Sequence, residues 1–148
     1  MLFLVQWACN MIRVCFSPDK TGVDILDRNY AIMLARFLSR MELSGWLGCW
    51  GGFERQARNA EHIHKLHIRV PDMEPWEARI RQPDRKSDSF LLYASHYMYE
   101  EYFLYLGIIH PEAHKRIDSL LPRIITFTEN NFQNRNEKEL RELICISE

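Results

Sequence analysis

The chain has 148 residues, 47% hydrophobic and 12% aromatic, with 19 Lys+Arg against 20 Asp+Glu and a formal net charge of -1. A chain of that length buries enough surface to fold as one domain without a disulfide or a structural metal, which excludes general disorder. The balanced charge excludes capture of nucleic acid by bulk charge, so any RNA or DNA site must be local.

No apolar run approaches the roughly 20 residues needed to cross a bilayer; the longest, over 103–109, is broken by Gly107. A soluble protein with no membrane partner is expected. Cys9, Cys15, Cys49 and Cys145 form no C-x-x-C pair, which argues against a zinc knuckle or redox motif and predicts reduced thiols in the cytoplasm. The opening MLFLVQWACN is superficially like a secretion signal, but it lacks a cationic start and a small-residue cleavage site. Met11 begins the first clear strand pattern, so residues 1–10 read as an upstream start or N-terminal extension.

In MIRVCFS, Ile12, Val14 and Phe16 alternate with Arg13, Cys15 and Ser17, the period of a half-buried strand. From 24 to about 41, Leu26, Tyr30, Met33, Leu34, Phe37, Leu38 and Met41 recur at spacings of three and four and mark a helix face. Residues 46–53 are rich in Gly and Trp and are expected to connect to a short second helix beginning near Glu54. In HKLHIRV, Leu66, Ile68 and Val70 fall on one face of a strand, and Lys65, His67 and Arg69 on the other. A Pro-rich, charged loop follows to about Asp88, with Trp76, Arg79, Arg81, Arg85 and Lys86. Loops of that length are more often functional than merely connecting.

The runs SFLLYASHY and YFLYLGIIH predict an antiparallel hairpin at the centre of a sheet. Pro111 and Glu112 suit the first turn of a following helix, which Pro122 should kink or restart. Residues 133–148 read as a loosely attached C-terminal tail, possibly helical, after a domain over 11–132. The plan is α+β in the order β-α-α-β-β-β-α, with helices on one face of an antiparallel sheet and the other face open.

Metal-free RNA cleavage needs a base near the 2'-hydroxyl, cations around the phosphorus and an acid for the 5'-oxygen. The Lys65, His67, Arg69 strand face supplies all three types, and the helix start adds His110, His114 and Lys115. The loop contributes Arg81, Arg85 and Lys86, with Trp76 as a surface on which a base could stack. Each has an ordinary alternative: solvent-facing Lys and Arg, first-turn surface His, and a Trp that anchors its loop. His62, His64 and His67 raise zinc, but one strand face would hold only His62 and His64, with no Cys or carboxylate at ligand spacing. No metal and no cofactor are assigned.

The stretches KLHIRV (65–70), RIRQPDRKSD (79–88), SFLLYASH (89–96) and GIIHPEAHKR (107–116) together resemble the YafO family, over about residues 11–132. The most specific pieces are Leu66-His67-Ile68, Arg81-Gln82, and Pro111-Glu112 with His114-Lys115. YafO proteins are toxins of type II toxin-antitoxin modules and look like members of the RelE-type group. The resemblance implies a RelE-like fold and a ribosome-dependent endoribonuclease that cuts mRNA by metal-independent 2'-hydroxyl attack. It also implies neutralisation by a cognate antitoxin. On matching positions, His67 and His114 become the acid/base candidates, with Arg81 and Lys115 beside them in the catalytic set. Arg69, Arg81 and Lys115 would hold the scissile phosphate. Arg85 and Lys86 would meet RNA backbone, and Lys65, Arg79 and Trp76 complete the RNA-binding set. The chain departs from the family pattern in residues 1–10, in Arg69 where a small residue is familiar, and in the tail. Alternatives of other classes are a non-catalytic ribosome or RNA binder of the same fold and a metal- or ligand-binding domain built on the His cluster.

Overall fold

The computed structural model describes residues 11–19, 22–53 and 55–147; the predicted N-terminal extension, residues 1–10, and Glu54 lie outside them. Strand β1 (Arg13–Cys15) forms at the expected alternation, but it is buried on both faces, with Val14 and Cys15 each 0% exposed. Helix α1 (Ile25–Leu38) starts where Asp24 accepts the Asp27 N–H at 2.8 Å. It buries Tyr30, Ala31, Leu34 and Ala35, while Leu26 and Met41 of the predicted stripe stay exposed.

The Gly- and Trp-rich segment is a strand, β2 (Leu47–Gly52), and not a connection. In place of the expected second helix, a single 3-10 turn at Arg58–Ala60 follows it. The reason is tertiary: β2 pairs antiparallel with β3 (Ile63–Ile68), and Gly48 lets its backbone lie against Arg85 and Trp76. The predicted hairpin is present as β4 (Phe90–Ser95) and β5 (Tyr102–Ile109), at the centre of the sheet. A register shift between Leu92 and Tyr93 is accommodated by Gly107 at φ 134, a conformation that L side chains rarely adopt.

After β5 come α2 (Ala113–Thr128), which runs through Pro122, a π turn at Glu129–Gln133, α3 (Glu137–Arg141) and β6 (Cys145–Ser147). The six strands lie in the order β2-β3-β4-β5-β1-β6, with β1 parallel to β5 and all other pairs antiparallel.

The sheet has no uniformly open face. Leu66, Ile68, Leu91, Tyr93 and Tyr105 pack with α1 on one side. Phe90, Leu92, Ala94 and Leu104 pack with Ile117, Leu121 and Ile125 of α2 on the other. The continuous apolar run of β4 carries this two-sided burial, since both of its alternating sets need cover. The tail is also integral: Leu140 is 0% and Leu143 9% exposed, and β6 extends the sheet beside β1. Cys15 is disulfide-bonded to Cys145, 130 residues away, so two of the four cysteines expected as free thiols are paired. Among the described residues no helix is long and apolar enough to cross a membrane.

Candidate active site

Alternation along β3 sends Lys65 and His67 to the side of the sheet that α2 covers. There the first turn of α2 brings His114 over the same ring that His67 meets. The two imidazole centroids are 5.4 Å apart, and Phe90 touches both edge-on, at 4.9 Å from His67 and 4.7 Å from His114. The ammonium of Lys65 lies over Phe90 at 4.7 Å and Phe53 at 5.3 Å.

His67 is held by the chain just before β4. Its Nδ1 lies 2.9 Å from the Ser87 N–H and 2.8 Å from the Ser87 carbonyl oxygen, so either tautomer is anchored there. At 6% exposure, burial pushes this imidazole below the usual histidine range. The Ser87 hydrogen bond opposes that shift, and the nearby Lys65, His114 and Lys86 add to it. Burial also lowers Lys65 from its ordinary value, partly offset by Cys49 and Asp118.

His114 is held by Asp88. The Asp88 Oδ1 accepts the His114 backbone N–H at 2.9 Å and ring Nδ1–H at 2.8 Å, and the Asp88 carbonyl accepts the Ala113 N–H at 3.0 Å. Glu112, at the helix cap, makes no side-chain capping bond, so Asp88 caps α2 from the preceding loop. Those hydrogen bonds hold the Asp88 carboxyl below the usual carboxylate range. His114 is exposed, and with Nδ1 engaged its Nε2 is the nitrogen left to exchange a proton with a substrate.

Of the sequence-predicted residues, the fold brings together His67, His114, Lys65 and Lys86. Arg81 and Lys115 are exposed. Arg79 is exposed and paired with Glu77 at 2.5 Å. Three assignments need correction. Arg69 lies past the end of β3, and its guanidinium stacks 4.8 Å from the Trp76 ring rather than beside His67. Trp76 is 8% exposed, with that guanidinium over its ring and Gly48 beside its edge, so it anchors its loop. Arg85 is 3% exposed and donates to the carbonyls of Ile80, Ser44 and Leu47, so it holds its own loop.

His110 shares a 2.6 Å hydrogen bond with Ser89, while His62 and His64 both bond the Ser95 hydroxyl, at 3.0 and 2.9 Å. Among the described residues no group of three or more His, Cys, Asp or Glu could hold a metal ion. Sequence reasoning missed Ser87, Asp88 and Phe90. Only the Asp at the loop end hinted at a cap, and its partner helix begins far along the chain.

Residues 35–134 match the family model for toxin YafO of type II toxin-antitoxin systems. The chain belongs to the YafO toxin family. The match spans more than half of the chain and contains His67, His114, Asp88 and the whole of the 71–88 loop; β1, α3 and β6 lie outside it. No curated protein and no solved structure matches the chain. A YafO toxin of a type II module implies an antitoxin as its partner.

Proposed function

We propose that this YafO toxin is a metal-independent endoribonuclease of RelE type that cuts mRNA on the ribosome and so arrests translation. The observation that carries the reading is the pair of imidazoles 5.4 Å apart, one braced by a carboxylate, with Lys65 and Lys86 close by. His67, held neutral near physiological pH by burial, takes the proton of the 2'-hydroxyl. The 2'-oxygen bonds to the adjacent phosphorus and the bond from phosphorus to the 5'-oxygen breaks. His114 gives its Nε2 proton to that leaving oxygen, and a 2',3'-cyclic phosphate remains. Lys65 and Lys86 offset the charge that grows on the phosphoryl oxygens. Arg81 and Lys115, both exposed, are assigned to the RNA backbone on either side, with Arg79 at the outer rim.

The test is translation in a reconstituted system, mapping RNA 5' ends and assaying cyclic-phosphate termini. His114→Ala and His67→Ala should each slow cleavage by roughly 10² to 10⁴-fold with the fold intact. Wild-type arrest of translation without new cuts would reject the nuclease. The near-complete burial of His67 favours a second reading, in which the cluster only docks on the ribosome and His67 is a structural support for His114. In that case His67→Asn would keep arrest and no cyclic phosphate would form.

A further inference from the structure

On the face opposite α2, helix α1 leaves part of its first turn uncovered: Ile25 is 79% and Leu26 41% exposed. Two depressions of about 530 and 660 Å³ adjoin there, and Leu26 and Pro71 line both, so they form one groove between α1 and the segment after β3. One half is walled by Tyr30, Ile32, Met33 and Trp46, and the other by Val70, Gly107 and Ile108. Its charged lining is Asp27 and Asp72, with Asp24 one turn away at the helix cap; no Lys or Arg lines it among the described residues.

This chemistry suits a protein segment and not RNA. An apolar channel with acidic residues at one end repels phosphates and attracts apolar side chains flanked by a cation. The type II family supplies a protein partner of unassigned contact surface. The groove also reaches His110, one residue before Pro111 and a single turn of chain from His114.

We propose that this groove is the docking site of the antitoxin, received as an amphipathic helix. Its apolar side chains, spaced at three and four residues, fill the channel between Leu26 and Trp46, and a Lys or Arg lies against the exposed Asp72. The end of the helix reaches His110. The inference rests on membership of the YafO family and not on the nuclease chemistry.

The experiment uses the full chain and the antitoxin encoded beside its gene, with growth rescue on co-expression and affinity by calorimetry as readouts. Asn29→Arg and Asp72→Lys change exposed residues, and Leu26→Arg changes a half-exposed one; melting temperature confirms folding. Each variant should arrest growth as the wild type does yet escape rescue, with affinity at least about tenfold weaker, a loss of about 1.4 kcal/mol. For Asp72→Lys, the salt dependence of binding should also flatten. Unchanged rescue and affinity in all three variants would overturn the proposal. So would loss of toxicity in the folded variants, which would give the groove to the ribosome. Absence of mRNA cleavage by the wild type would defeat the nuclease reading and leave this result untouched.

Discussion

One carboxylate oxygen of Asp88 receives both the backbone and the ring N–H of His114, so a single side chain sets the helix start and the tautomer. In Asp88→Asn the amide oxygen can still accept one of these, while the charge opposite the imidazole is lost. Cleavage should fall by about a hundredfold with little change in melting temperature, measured on the same reconstituted system. Protonation gives a second prediction. His96, 4% exposed, donates from Nε2 to the Phe132 carbonyl at 3.2 Å and accepts the Met98 and Tyr99 N–H groups at Nδ1. A proton on Nδ1 would displace both donors, and burial lowers this imidazole from the ordinary histidine value, as it lowers that of His67. The unfolded chain therefore takes up protons first as pH falls. Stability should be full above about pH 6.5 and decline below it until the folded-state values are passed, with a shallower decline in His96→Gln. Denaturant midpoints from pH 7.5 to 5 check the sign. At this scale the sequence offered the two histidines as candidates. It could not show Asp88 or Phe90 beside them, because those contacts join β3, β4 and α2 across long stretches of chain.

The loop over 71–88 reads as an RNA-facing element in sequence and acts, in its middle, as the cover of an edge strand. Arg85 reaches back to the Leu47 carbonyl at 3.1 Å and its own carbonyl accepts the Cys49 N–H at 2.8 Å, while Gln82 donates to the Gly48 carbonyl at 3.1 Å. These bonds occupy the outer edge of β2, which would otherwise offer free backbone groups. Arg85→Ala removes a donor from three carbonyls, of which Ser44 keeps the Leu47 N–H, and should cost about 2 to 4 kcal/mol in urea unfolding. A Cβ at Gly48 would lie 2.5 Å from the Arg85 carbonyl oxygen and 2.9 Å from the Trp76 ring. Gly48→Ala should therefore cost about 1 to 3 kcal/mol in the same assay. The central hairpin and α1 were legible because local pattern and final burial agree there. Strand β2 was not, since its Gly and Trp residues suit a turn until β3 and Arg85 are beside them.

Across the described residues the first and last strands meet at one edge of the sheet. Strand β1 enters parallel to β5, β6 closes over it antiparallel, and Cys15 bonds Cys145 directly across the register. Leu140 and Leu143 bury the tail in the cluster that packs under α2. A cross-link across 130 residues restricts the unfolded chain strongly, so Cys145→Ser should lose about 2 to 4 kcal/mol. Wild type in reductant should match the variant when unfolding is compared with and without dithiothreitol. Removal of residues 137–147 should cost more, because it also takes Leu140 and Leu143 out of the core and exposes the edge of β1.

Local periodicity by itself determined the α+β class, the helix α1 and the central hairpin, and the motif resemblance pointed to the family, because each is written in neighbouring residues. Tertiary structure alone decided which face each element covers. It buried Arg85 and Trp76, moved Arg69 away from the histidines and set Asp88 against His114. It also joined the tail to the first strand through a cysteine pair. These depend on contacts between residues distant in sequence, where a basic side chain reads the same whether it meets a phosphate or a backbone carbonyl of its own chain.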